Sequence, residues 1–441
     1  MKLLISAYAC APNIGSEHAV GWNWTTEAHR QGHEVWAFAS PAHRDAVEQA
    51  CRDDPDLLGI HWTFPEVRGW PLRPATEPKW ERTYNLLWQR AALRHARELQ
   101  RRVGLDAIHH LTWGGVRAPT FLGSVGSPLI IGPLGGGETS PRSLRDGFHC
   151  KAKIIEAIRD LSNATITFNP FVRRGLLDAA VIFVKTPDTR RVLRTMQQKT
   201  IGFIELTVQS AQIGNPRGAR LAPPRLLYAG RLLYWKGVHI AIEAFARLQS
   251  RVPDARLTIV GDGAERDRLH TLAASRNIRD HVDFIPRLPR PRLFDLYASH
   301  DLLIFPSLHD SSGGVVLEAL AHGLPVVCLD LGGPKEIVSP ESGVIVATAG
   351  RNSAEVAAAM ANEMNCLLTE PARLSALSAG AIARAKQFVL SDRVTRFYCR
   401  ATAAITAAPQ PHDQAGDGQF RESVTSKARV IAANPRAERR L

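Results

Sequence analysis

The residues best suited to chemistry lie in one stretch, Leu303 to Val327, which holds Asp310, Ser311, Ser312, Gly313, Gly314, Val315 and Glu318. An apolar run ends at Pro306, a polar loop follows, and two glycines open a helix expected to begin near Val315. Adjacent glycines let backbone approach a ligand closely, and the free amides of a helix start attract a diphosphate. Asp310 then sits at the loop rim and Glu318 on the first helical turn, where a carboxylate can accept two hydrogen bonds from ribose hydroxyls. A solvated acidic loop with a dipole-stabilised Glu is the plain alternative. The coincidence of paired glycines, two carboxylates and a strand end argues against it. A second cluster comes earlier, where Gly230, Arg231 and Lys236 follow a strand ending at Ala229. Two cations there can neutralise a leaving diphosphate, whose charge grows in the transition state.

Together the clusters resemble the retaining glycosyltransferases of the GT-B fold, glycosyltransferase family 4 or group 1, of exopolysaccharide or lipopolysaccharide type. The E-x7-E signature of that family, often P-S-x-x-E-x-F-G-x-x-x-x-E-A, aligns with Pro306 to Ala319. Asp310 stands for its first Glu and Ser312 for its Phe, while Gly313 and Glu318 match directly. The resemblance implies that Asp310 contacts the transferred sugar, Glu318 holds the ribose, and Arg231 and Lys236 neutralise the diphosphate. It also implies that Gly230, Ser311, Ser312, Gly314 and Val315 line the donor, and that backbone around Arg287 and Leu288 meets the base. By the same resemblance, Gly261 and Gly263 are expected to shape the pocket wall.

In the first half, Gly15 and Glu17 resemble the family's G-G-x-E loop, with Ile14 in place of the first Gly and Ser16 as a helix N-cap. The resemblance implies that Gly15 and Glu17 bind the donor, Glu17 reaching towards its phosphate or the acceptor. His109 takes the place of the histidine in D-x-x-H, which implies a catalytic role, and His110 points to the opposite face of its strand. His110 is the other candidate for the acceptor or sugar pocket, with one of the pair expected to line the site and the other to lie in the core. Gly136, Gly137 and Glu138 belong to a glycine-rich loop expected to approach the acceptor or sugar. The combination of H-H-L-T with G-G-G-E is that of an exopolysaccharide-type subset.

Short apolar runs alternating with amphipathic stretches must position these residues, a pattern that implies parallel sheets wrapped by helices. Strands are expected at Lys2–Ala7, Glu34–Ala39, Ala107–His110, Leu129–Gly132 and Ala180–Lys185, with helices over Val20–Gln31 and around Lys79–Arg102. After a polar stretch, Ile213–Pro224, the rhythm resumes with strands at Arg225–Ala229, Arg256–Val260, Val282–Ile285, Leu302–Pro306, Pro325–Leu329 and Ser342–Val346. The fold class is therefore α/β, with two facing Rossmann-like doubly wound domains, 1–212 for the acceptor and 213–390 for the nucleotide sugar. Ligands of such sheets sit beyond the carboxyl ends of the strands, so the expected site is the cleft between domains. Residues 391–407 form a helix expected to pack back on the first domain, and 408–441 read as a disordered tail.

At 441 residues the chain is too long for one core. A net charge of +13 points to anionic partners, and no recognised nucleic-acid module carries it. Six scattered cysteines without a C-x-x-C pair favour a reducing compartment and no structural zinc. The apolar start to Cys10 reads as a first strand rather than an export signal, and no run of about 18 apolar residues is present. A cytoplasmic location follows, with peripheral contact with an anionic membrane expected where Trp62, Trp70, Trp80 and Trp88 interleave with arginines. Asp54-Pro55-Asp56 superficially resembles a D-x-D metal motif but sits in a charged turn, and neither a cofactor nor a metal is expected. A dinucleotide-linked oxidoreductase would need G-x-G-x-x-G after the first strand, which is absent. The function expected is transfer of a sugar from a nucleotide diphosphate donor to a saccharide or lipid-linked acceptor in bacterial surface polysaccharide synthesis. A nucleotide-sugar epimerase or hydrolase on the same fold is the alternative.

Overall fold

The computed structural model describes residues 1–15, 17–70, 80–218 and 223–407. Ser16 and the tail 408–441 lie outside the described residues. The chain forms two parallel sheets, and each expected strand is present to within two residues at either end. In the first sheet these are β1 (Lys2–Ser6), β2 (Glu34–Phe38), β3 (His61–Thr63), β4 (Ala107–His110), β5 (Leu129–Leu134), β6 (Val181–Val184) and β7 (Thr200–Gly202). The second holds β8 (Arg225–Ala229), β9 (Arg256–Val260), β10 (Val282–Ile285), β11 (Leu302–Phe305), β12 (Val326–Leu329) and β13 (Gly343–Val346). Edge strands β3 and β7 are additions to the sequence reading; three residues are too few to show a period.

Strand order is β3-β2-β1-β4-β5-β6-β7 in one sheet and β10-β9-β8-β11-β12-β13 in the other. The winding direction therefore reverses between β1 and β4, and again between β8 and β11. Crevices for ligands open at such reversals. Both faces of each sheet are buried, as helical crossovers require. Leu226 and Tyr228 enter one core and Leu227 and Ala229 the other. This explains the apolar runs that replace a simple alternation.

The halves interpenetrate more than their rhythm suggests. Leu144, Phe148 and Ala152, from the first half, complete the core of the second domain, and the Phe148 ring meets Tyr234 edge-on at 4.9 Å. Conversely, the C-terminal helix Leu390–Ala407 buries Val394, Phe397, Tyr398 and Ala401 in the first domain's core. Phe397 packs edge-on to Trp24 at 5.0 Å there.

Candidate active site

Two loops leave the reversal point of the second sheet side by side. After β8, Gly230 turns the chain, and its backbone lies so close to Gly261 that a Cβ on Gly261 would fall 1.9 Å from the Gly230 carbonyl oxygen. A 3₁₀ turn, Tyr234–Lys236, then ends at Gly237, whose φ of 68° and 1.9 Å hypothetical Cβ approach to the Pro306 oxygen demand glycine. That approach locks the Lys236 loop onto the loop after β11.

Lys236 Nζ is paired with Asp310 and lies 5.5 Å from the centre of the Phe305 ring. Both partners are mostly buried, so the cation is fixed in a low-dielectric setting. Arg231 is exposed at the same mouth, and among the described residues its guanidinium has no hydrogen-bond or ion-pair partner.

Gly313, at φ 84°, turns the chain into the helix Gly314–Ala321. The helix starts one residue before the expected Val315, so Glu318 stands on its second turn instead of the first. There Glu318 accepts from Arg290 at 2.6 Å and from the Tyr297 hydroxyl at 3.2 Å. Burial, followed by the Glu318 charge, pushes the Tyr297 phenol well above its ordinary range, so it remains a donor. The Arg287 amide is held by Asp262 at 2.9 Å, and Leu288 is partly buried against the same core as Val315. Arg231, Lys236, Asp310, Gly313, Gly314, Val315 and Glu318 are thus carried by two neighbouring loops and one helix. Arg287 and Leu288 approach from the end of β10.

The first domain closes on this loop through carboxylates. Glu138 is nearly inaccessible and accepts from Thr186 at 2.5 Å, Thr189 at 2.8 Å, the Gly136 amide at 2.9 Å and Ser311 at 2.5 Å. Burial would raise its carboxyl, but the hydroxyl donors hold it below the ordinary range. Glu205 accepts from Lys185 at 2.6 Å and Ser312 at 2.8 Å, and its second oxygen is buried without a partner among the described residues. Burial opposes the Lys185 charge, yet Glu205, Glu17 and Glu138 together raise its pKa. Ser311 and Ser312, expected to line the donor, are therefore engaged by first-domain acids. Gly136 also donates to Ser311 at 2.9 Å, and Gly137 donates to Thr189 at 3.1 Å. Gly15 is exposed, and Glu17 accepts from the Gly114 amide at 2.9 Å, tying the loop after β1 to that after β4.

The histidines differ from the sequence reading. His109 is fully buried, bonded to the Gly132 carbonyl and the Tyr398 hydroxyl at 2.7 and 2.9 Å, and stacked on Phe397. Burial lowers its pKa to about 3, so it is a neutral core residue that cannot reach the cleft. His110 is equally enclosed, with neither ring nitrogen bonded and its pKa pressed by burial to about 4. A strand with both faces covered leaves either face of the pair inside.

The tryptophans meant for a membrane face also turn inward. Trp88 is fully buried, Trp62 stacks on Trp22 at 5.8 Å, and Trp70 meets Tyr84 at 5.8 Å; of the four, Trp80 alone is exposed. Asp54 pairs with Arg30 at 2.7 Å. Among the described residues no three His, Cys, Asp or Glu side chains converge as a metal site needs. No described helix is long and apolar enough to cross a membrane.

One contact at the domain seam escaped the sequence altogether. Fully buried Glu156 accepts from Tyr234 at 3.1 Å and bonds His309 at 3.0 Å, beside Asp310. Burial would raise the Glu156 carboxyl, but the bond and charge of His309, with the bonds from Ser140 and Tyr234, bring it down to about 2. Burial lowers the His309 pKa, against the bond and charge of Glu156, which oppose the shift. A carboxyl depressed on folding adds stability that is complete above its unfolded pKa, about 4.3, and lost as pH falls through the folded value. The thermal midpoint should therefore fall between those two pH values, and Glu156→Gln should flatten that limb. An unchanged slope in the Gln variant contradicts this role.

Residues 212–378 match the family model for Glycosyl transferases group 1. The match lies in the second half of the chain, over the sheet that carries Lys236, Asp310 and Glu318. A glycogen synthase of Mycobacterium tuberculosis is 34% identical over 203 residues, 44% of this chain and 47% of the relative. A D-inositol 3-phosphate glycosyltransferase of Thermobispora bispora is 35% identical over 195 residues, 42% of this chain and 43% of the relative. The chain thus spans under half the length of the curated relatives it matches.

Solved structures match across both domains. Sucrose-phosphate synthase from Thermosynechococcus elongatus aligns with TM-score 0.60 at 19% identity, over 91% of this chain and 99% of that one. Anabaena Alr3699/HepE in complex with UDP and glucose aligns with TM-score 0.55 at 17% identity, over 91% and 100%. These likenesses show the fold: the two-domain GT-B architecture spans both halves of the chain.

Proposed function

We propose that this chain is a retaining hexosyltransferase that moves a sugar from a nucleoside diphosphate donor to a saccharide or lipid-linked acceptor, in bacterial surface polysaccharide synthesis. The observation that carries the reading is the cluster at one loop mouth: Lys236 fixed on Asp310, the exposed Arg231, and the Gly313–Gly314 helix start, with Glu318 one turn further on. In the reaction the bond from the anomeric carbon to the diphosphate oxygen breaks and one to the acceptor hydroxyl oxygen forms on the same face. The hydroxyl proton passes to the leaving phosphate. Lys236, Arg231 and the amides offset the charge that develops there, and preorganised donors of this kind are the largest rate term in many enzymes. Asp310 orients the sugar, and Glu318 binds the ribose by exchanging Arg290 for its hydroxyls. The GT-B neighbour with UDP and glucose supports a uridine diphosphate sugar as the first donor to try.

The test is a thermal-shift screen of uridine, guanosine and adenosine diphosphate sugars, followed by turnover with saccharide and lipid-linked acceptors. Transfer with retained anomeric configuration, unaffected by a chelator, is expected. Acceptor-independent release of free sugar or of a 2-epimer would favour an epimerase or hydrolase. Strict loss of activity with chelator would remove the metal-free mechanism.

A further inference from the structure

The helix Cys150–Thr165 is inverted. Beyond Ala152, which enters the second core, its inward face is polar: Glu156 bonds His309, Arg159 donates to the Glu138 carbonyl at 2.8 Å, and Asn163 donates to the Gly137 carbonyl at 2.8 Å. Its outward face is apolar, with Ile154 60%, Ile158 62% and Leu161 65% exposed at helical spacing. The turn beyond extends the stripe with Phe168, 73% exposed, and Phe171. A contiguous patch of large apolar side chains on a soluble surface marks an interaction site.

We propose that this face docks on an anionic lipid surface. Cations border the stripe: Lys151 and Lys153 are exposed on the helix, Arg173 follows Phe171, Arg174 beside it is paired with Asp178 at 2.9 Å, and Arg194 sits 5.8 Å from the Phe168 ring centre. The acids of the helix are turned away or paired, since Glu156 is buried inward and Asp160 is bound by Arg145 at 2.8 Å. An apolar stripe with basic flanks and no free acid matches the boundary of a negatively charged bilayer. A second copy of this chain fits less well, because a symmetric contact would set Lys151, Lys153, Arg173 and Arg174 against their own equivalents.

The inward face touches the loop of His309, next to Asp310, so lipid and donor loop are separated by about one helix diameter, roughly 10 Å. A lipid-borne acceptor would then enter the cleft from the bilayer plane. This goes beyond the donor chemistry and does not depend on it, since nucleotide binding and lipid binding are read separately.

The test uses the full chain in co-sedimentation with vesicles of phosphatidylcholine alone or mixed with phosphatidylglycerol. Partition onto the mixed vesicles should be higher by on the order of tenfold, through the flanking cations. Ile158→Ser with Leu161→Ser should weaken that partition by on the order of 100-fold, with thermal midpoint and nucleotide binding unchanged because both side chains are exposed. Phe168→Ser, on a separate element, should weaken it by about tenfold. Full vesicle binding by both variants would overturn the proposal. So would equal binding to neutral and anionic vesicles, or a self-association abolished by the variants in a chain that binds no vesicles.

Discussion

Lys236→Ala is expected to lower turnover by about 10²–10³-fold, with a much smaller change in donor affinity. The asymmetry follows from where the charge is needed. In the ground state the diphosphate shares its charge with the sugar ester, whereas a full additional negative charge develops as the anomeric bond breaks. Lys236 is aimed before the donor arrives, because Asp310 pairs with it and Gly237 allows its loop to touch the Pro306 backbone. Its removal also leaves Asp310 without its cation in a mostly buried position, which on its own is destabilising. Lys236→Ala combined with Asp310→Asn separates the effects: stability recovers and turnover does not. Release of nucleoside diphosphate under saturating donor gives the rate. Unchanged turnover in either variant contradicts the assignment.

Glu318→Leu should weaken nucleoside diphosphate binding by roughly 100-fold, the worth of two hydrogen bonds to a charged group. The side chain is presented by the second turn of its helix and steadied by Tyr297. Because Arg290 is exposed and Tyr297 buried, the ribose is expected to displace the former and leave the latter in place. Glu318→Gln keeps an acceptor for Tyr297 and should lose about tenfold, mainly the charge assistance. Titration with a 2′,3′-dideoxy nucleoside diphosphate isolates the contact. That ligand should bind wild type and variants alike, and a variant-dependent loss with it would place Glu318 outside the ribose site.

The sheet was largely legible because parallel strands with both faces covered read as compact apolar runs closed by Gly or Pro. Runs such as Leu226–Ala229 and Leu302–Phe305 could hardly be anything else. The donor loop was legible for a local reason, since Gly313, Gly314 and Glu318 lie within one turn and one helix. His109 and His110 were misread because alternation tells which face a side chain takes, and here both faces are core. Glu156, Lys185 and Glu205 were invisible, as each finds partners more than 100 residues away in the other domain. The orientation of the helix at Cys150 was equally out of reach, because Glu156 is buried by partners across the seam while Ile154, Ile158 and Leu161 face outward.

Hydrogen–deuterium exchange with and without uridine diphosphate locates the ligand without reference to any acceptor. Slowed exchange should be confined to amides around Gly230–Val238, Arg287–Arg290 and Ser312–Glu318, the strand ends and helix start that face one another across the mouth. Protection elsewhere with these segments unchanged would mean that the diphosphate is held by some other part of the molecule, and that the grouping of Lys236, Arg231 and Glu318 serves the fold alone.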